Sequence, residues 1–257
     1  MSRGLRLCLF LPAAGLLLFL LTMGIRDLPA AGSITSLTGD LINRVAVAES
    51  GATDVVAAVT FDYRGFDTLG EEFILYSSVL GVLLLLRDRS GPRKPDSQSP
   101  ALARPPRPSD AVRALAQLFI AVMVTTGLYL VAHGHLTPGG GFQGGVLLAT
   151  APLLAYLATG PRMLGRIAPE SLLRPAEAGG ALAYLGLGLW GSIRAGSFLA
   201  NPLPLGKPGF LLSAGCIPLL NVATALAVSG GLLVLLSAFL EKARESAQAD
   251  DADEGET

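Results

Sequence analysis

His133-Gly134-His135-Leu136-Thr137-Pro138-Gly139-Gly140-Gly141-Phe142-Gln143-Gly144-Gly145 stands between two apolar runs, each long enough to cross a membrane. Five glycines and one proline fall within the eight residues from Pro138 to Gly145, a density expected to break a helix. The stretch carries no Asp, Glu, Lys or Arg, whereas a solvated linker would be rich in polar side chains. Irregular backbone at membrane depth is tolerated only where it packs against protein. The sequence therefore predicts a specific turn docked on neighbouring helices, with Pro138, Gly139, Gly140, Gly141, Gly144 and Gly145 as its structural residues.

The rest of the chain agrees with a membrane setting. Charged residues make up 15% of the 257 and hydrophobic ones 51%, and the mean hydropathy is +0.55. A soluble domain carries about a quarter charged residues. The net charge of −1 argues against nucleic acid as a partner. Cys8 and Cys216 form no CxxC and no Cys/His cluster, so neither a zinc site, an iron–sulfur centre nor a disulfide framework is indicated, and no cofactor is expected.

Six membrane helices follow from the apolar blocks: Leu5–Ile25, Leu69–Leu86, Ala111–Val131, Phe142–Gly160, Ala176–Leu199 and Pro218–Leu240. The expected fold is an all-α integral membrane protein in a two-plus-four arrangement. The first block, behind Arg3 and Arg6, also fits a secretory signal peptide, although Pro29-Ala30-Ala31 makes a poor cleavage site. Fourteen basic residues fall on the side of the N-terminus, and only Arg26, Arg44, Arg64 and Lys207 on the other. The positive-inside rule then puts both termini in the cytoplasm and residues 27–68 outside. Residues 88–110, rich in Pro, Ser and Arg, read as a cytoplasmic linker between a two-span unit (1–87) and a four-span unit (111–241). Residues 242–257 read as an acidic tail, of which the short stretch Asp250–Thr257 is expected to lack structure.

Candidate functional residues are few. Asp67, Glu71 and Glu72 lie where the second span begins. Thr68 and Glu71 have the spacing of a capping box, so helix initiation at the interface is their plain reading. An ionisable group at the mouth of a cation or proton path is the functional one. Residues 52–63 are read as a short outer helix lying on the membrane or a partner. His133 and His135 suit interfacial hydrogen bonding, or proton exchange, better than a metal, for want of a third ligand. Arg194 beside Trp190 is read as an interfacial anchor. Gly188, Ser192 and Gly196 repeat at four-residue spacing, a small-residue face for close helix packing. Pro218 suits a first helical turn, which sets Asn221 close to the surface. No ionisable residue is expected near the midplane of any span, contrary to what a self-sufficient cation antiporter needs.

These runs of unusual residues resemble a known family. His133 through Gly145, followed by Ser213-Ala-Gly-Cys-Ile-Pro218-Leu-Leu-Asn221, resemble the MnhB-type subunit of Mrp multisubunit sodium/proton antiporters. Asp62-Tyr-Arg-Gly-Phe-Asp67-Thr-Leu-Gly-Glu71 is similar to the MbhE-type small subunit of membrane-bound hydrogenases, or to the equivalent C-terminal part of the large MrpA-type protein. The resemblance implies a multi-pass subunit of a prokaryotic inner-membrane complex that moves Na⁺ and H⁺. Its partners would be other Mrp-type or hydrogenase-type membrane subunits and the bilayer, with the main ion coupling in larger subunits. The charged residue expected beyond Asn221 in many relatives is replaced by Ala225-Leu-Ala227-Val, which favours a scaffolding or path-lining role over direct charge relay. The alternative it implies is membership of an energy-converting hydrogenase or related respiratory complex.

Overall fold

A computed structural model describes residues 3–26, 37–87, 109–160, 165 and 167–254. All regular structure among them is helical: α1 (Arg3–Arg26), α2 (Leu37–Ser50), α3 (Val55–Ala58) with a π-helical turn (Val59–Tyr63), α4 (Gly65–Leu86), α5 (Asp110–His133), α6 (Gly141–Thr159), α7 (Glu170–Ala195) and α8 (Ile217–Glu254). The protein is thus an all-α integral membrane protein. Four helices are long and apolar enough to cross a membrane: Gly65–Leu86, Asp110–His133, Gly141–Thr159 and Ile217–Ala243. Two of the six expected spans fall short of that mark. Within α1 the shorter apolar stretch is Phe10–Arg26. In α7, 26 residues long, glycines and a charged first turn dilute the apolar character.

The chain forms two compact units, residues 1–44 and 45–257. The first contains α1 and most of α2. In the second, α8 is the central helix and packs against α4, α5, α6 and α7. Its side chains Ile217, Leu220, Ala223, Ala227, Val228, Leu233 and Val234 are all buried. By contrast α5 leaves Leu115, Leu118, Phe119 and Leu128 exposed, as a helix facing lipid or another subunit does. One apolar cluster joins the helices around Val79, Ala149, Leu173, Leu233 and Val234.

Local signals account for most helix boundaries. Ser109 caps α5 by accepting from the Val112 N–H at 3.3 Å, and Asp110 favours the positive end of its dipole. Asp54 Oδ2 caps α3 through the Ala57 N–H at 3.1 Å. Glu170 opens α7 and binds Arg174 one turn on, at 2.5 Å. At its far end Gly196 takes φ +84°, and its N–H closes onto the Ser192 carbonyl at 3.2 Å.

Several expectations are corrected. The capping box does not form, because the π-helical turn lets α4 start at Gly65 and leaves Thr68 inside the helix. The Thr68 hydroxyl donates instead to the Thr60 carbonyl at 2.7 Å. Residues 55–63 are helical as expected, but Ala57, Ala58 and Phe61 are buried, and the π-helical turn packs against this chain's own α4 and α8. They do not lie outward on a membrane. The tail read as unstructured continues α8 to Glu254. The linker lies outside the described residues, apart from 109 and 110.

Candidate functional site

The glycine turn brings α5 and α6 together as an antiparallel hairpin and seats it on α8. The Gly141 N–H donates to Asn221 Oδ1 at 2.7 Å, and Asn221 Nδ2 donates to the Ile217 carbonyl at 3.3 Å. A Cβ at Gly141 would collide with the Asn221 carbonyl and sit 2.7 Å from Thr224 Cβ, so only glycine permits this approach. Gly144 meets Val131 of α5, and Gly145 meets Ala225 and Val228 of α8. Pro138 is exposed. The Thr53 and Asp54 N–H groups both donate to the His135 carbonyl, at 3.0 and 3.2 Å, tying the segment before α3 to the same turn.

The two histidines diverge. His133 stacks on Tyr129 with ring centroids 4.2 Å apart, and its Nδ1 lies 3.2 Å from the Tyr129 carbonyl. His135 is fully buried, and neither ring nitrogen meets hydrogen-bond geometry. Burial pushes its pKa down, because charging the ring in a dry site costs hydration; the nearby Phe210 and Leu211 backbone opposes this and His133 reinforces it.

Of the three expected acidic residues, two face outward. Asp67 pairs with Arg64, and both are largely exposed, so the pair adds little stability. Glu71 is exposed. Glu72 differs: it is 2% exposed, and its Oε1 accepts a 2.6 Å hydrogen bond from the Thr224 hydroxyl of α8. Its Oε2 is buried without a hydrogen-bond partner. Nearby, the Tyr184 hydroxyl of α7 donates to the Gly65 carbonyl at 2.9 Å. Hence α4, α7 and α8 meet around one carboxyl group.

An ionisable group is nevertheless buried in the bundle, short of the midpoint of α4. Glu72 lies about 10 Å along α4 from its start, within the bundle. Glu177 of α7 is also buried, at 6% exposure. Its flanking sequence, Pro175-Ala-Glu-Ala-Gly-Gly-Ala, was the available signal: small residues on both sides mark a helix interface rather than a solvated end.

Close packing on α7 also shifts from the expected stripe. A Cβ at Gly180 would strike Ala223 and Ala227 of α8, so this glycine sets the α7–α8 distance. Gly188 faces the Phe198 ring of the chain's own return loop, Ser192 bonds the Gly188 carbonyl at 3.4 Å, and Gly196 has open space. Gly196 is therefore a helix terminator and not a packing residue. Arg194 is exposed at the helix end, where an anchor would be.

Outside the spans, Asp62 is half-buried beside Glu49, and burial first, then that carboxylate, raises its pKa. The neighbouring Tyr63 hydroxyl donates to Glu49 Oε2 at 2.5 Å. Its pKa is pushed up to about 12 by desolvation and by this bond. Among the described residues no group of three or more His, Cys, Asp and Glu converges as a metal site would.

Two families match the two halves: MbhE, the E-type subunit of MBH, over residues 7–103, and MnhB, a "domain related to MnhB subunit of Na+/H+ antiporter", over residues 111–234. The protein MJ1307 of Methanocaldococcus jannaschii is 33% identical over 213 residues, covering 74% of this chain and 78% of that one. A probable K⁺/H⁺ antiporter A/B subunit of Rhizobium meliloti is 32% identical over 166 residues, 58% of this chain but 16% of that protein's length. Among solved structures, a chain of the archaeal membrane-bound sulfane sulfur reductase superposes with a TM-score of 0.69 and 28% identity, over 92% of this chain and 98% of that one. A chain of the Mrp complex from Dietzia sp. DQ12-45-1b gives the same TM-score at 25% identity, over 93% of this chain and 26% of that one. The chain therefore belongs to the MnhB-related family and carries an MbhE domain ahead of its MnhB-related domain.

Proposed function

We propose that this protein is a membrane subunit of an Mrp-type monovalent cation/proton antiporter, lining part of the ion path rather than housing the main coupling machinery. The observation that carries this reading is the Glu72–Thr224 contact, a buried carboxyl with one unpartnered oxygen at the junction of α4, α7 and α8. A carboxyl in a span is costly, and functional sites are where such groups are kept. Exposed Glu71 and Asp67 would stand at the approach to it, and half-buried His133 beside the turn. The ion pathway would enter at the end of the bundle where α4 and α8 begin, taken as the outer face from the charge asymmetry. Partners would be larger antiporter-like subunits, docked on exposed faces such as that of α5.

A second reading has its own support. The sulfane sulfur reductase chain matches this one over nearly its whole length, in a complex described as an archaeal respiratory membrane complex. In that setting the same path would serve electron-transfer-driven ion movement, with all redox groups in other subunits. Gentle extraction from the native membrane through a tag on the protein separates the two. Antiporter-like subunits without metal centres are the expected companions. Iron–sulfur or nickel–iron subunits in the same particle would replace the antiporter reading with the respiratory one.

A further inference from the structure

Glu177 carries a second unpartnered carboxyl oxygen, Oε1, and is only 6% exposed. Its position relative to Glu72 follows from helix geometry. A Cβ placed at Gly231 of α8 would lie 3.1 Å from Glu177 Oε1 and 3.5 Å from Val79 Cγ2 of α4, so these three helices meet there as well. Gly231 is seven residues beyond Thr224, and Val79 is seven beyond Glu72. Seven residues make two turns and return to the same helix face, about 10 Å further along the axis. The two carboxyls therefore occupy one seam between parallel α4 and α8, at successive levels of the bundle.

The seam opens at one end. A cavity of about 500 Å³ lies where α4 and α8 leave the apolar core, lined by leucines of α4 together with Arg87, Arg174, Glu241 and Lys242. Arg174 is one turn from Glu177 on α7 and pairs with Glu170 at 2.5 Å. Arg174 is the charged group that acts on Glu177, and it lines the cavity together with Arg87 at the end of α4 and Glu241 and Lys242 on α8. Within α8 itself no Asp, Glu, Lys, Arg or His occurs from Ile217 to Leu240. A buried carboxyl with a free oxygen in an apolar seam is held most cheaply in its neutral form, which makes it a carrier of protons rather than a site for a metal ion.

We propose that Glu72 and Glu177 are two successive proton-carrying stations of a single route along the α4–α8 seam, and that the Arg87–Arg174–Lys242 cavity is its mouth at the end where the seam opens. The step moves one proton and no electrons: the Glu72 carboxyl releases a proton to water, and the Glu177 carboxylate takes one up from water on its side. The roughly 10 Å between the levels exceeds a hydrogen bond, so the transfer runs through water between the carboxyls. This inference rests on the path-lining reading above and names its ion and its second residue.

The test uses the intact complex in everted membrane vesicles, with cation-driven proton movement followed by a pH-sensitive dye and assembly followed on native gels. Both E72Q and E177Q keep side-chain size and are expected to lower proton movement at least about tenfold with the complex assembled. E177D, which restores a titratable group, is expected to recover much of it, as a merely structural position would not. Parental transport in E177Q alongside impaired E72Q overturns the two-station route and leaves the path-lining reading standing. Parental transport in both overturns the two together. Should E177Q fail to assemble, dicyclohexylcarbodiimide, an apolar reagent for protonated carboxyls, is applied to the parental complex and the modified residues are located by mass spectrometry. Labelling of Glu177 with loss of transport is expected, and labelling of Glu72 without Glu177 overturns the proposal.

Discussion

At the scale of single residues, burial distinguishes groups that the sequence presents alike. His133 and His135 are separated by one glycine, yet one stacks on Tyr129 and the other lies fully buried beside the Phe210 and Leu211 backbone. The lowered pKa of His135 has a definite sign for stability. Below its ordinary value of 6.5 the unfolded ring takes up a proton that the folded one resists, so stability falls as pH drops through that range. The slope is at most about 1.4 kcal/mol per pH unit for one proton. Thermal melting of the purified complex is therefore expected to show a melting temperature that declines below pH 6.5, with the decline flattened in H135Q. An identical decline in H135Q would assign it to other groups. Glu71 and Glu72 form a similar pair: adjacent in sequence and the same residue type, one is exposed and the other is buried on Thr224. Reading the start of the second span from the residues alone could not separate them, because the separation depends on where α4 begins. The π-helical turn moved that start back to Gly65, which took Thr68 out of its expected capping role and turned Glu72 inward.

At the scale of elements, glycines set how closely α8 is approached. Gly180 touches the α8 backbone at Ala223 and Ala227, whereas Gly179 beside it has open space. G180A is expected to destabilise the bundle by about 1–3 kcal/mol through overpacking. G179A should be neutral or slightly stabilising, since alanine exceeds glycine in helix propensity by about 1 kcal/mol. The amount of assembled protein in membranes, compared between the two variants, checks the contrast; equal losses would show that glycine at 180 is not set by the neighbouring helix. The glycine turn was legible in the sequence because its composition is unlike that of a linker, and its docking on Asn221 follows the same logic. The expected Gly188–Gly196 stripe was only partly informative. Four-residue spacing cannot tell a packing glycine from one that ends a helix, and Gly196 does the latter with its positive φ. Glu177 was missed for a related reason: α7 begins at Glu170, six residues before the expected span, so the carboxyl sits deeper than counting from an apolar boundary suggested.

At the scale of the whole molecule, the part of the MbhE match from residue 45 onward shares one compact unit with the MnhB-related domain. Glu72 to Thr224 and Tyr184 to Gly65 both run from α4 of the first half to helices of the second. The sequence revealed both halves through their separate motifs, but side-chain pairing across 152 residues of chain leaves no local signal. A protease site introduced into the Pro-rich stretch 93–104 should, once cut, leave two fragments that still purify together. Separation of the fragments in mild detergent would mean that the α4 contacts are too weak to hold the halves. Membership of Glu72 in an ion path, joined to its partner helix through Thr224, is the proposal on which the others rest. The decisive measurement is cation-driven proton movement in vesicles carrying the E72Q complex, with assembly quantified in the same membranes. A loss of about tenfold or more, equivalent to about 1.4 kcal/mol in the barrier, is expected at normal assembly. Parental transport by a fully assembled E72Q complex would contradict it and leave the buried carboxyl a purely structural link between helices.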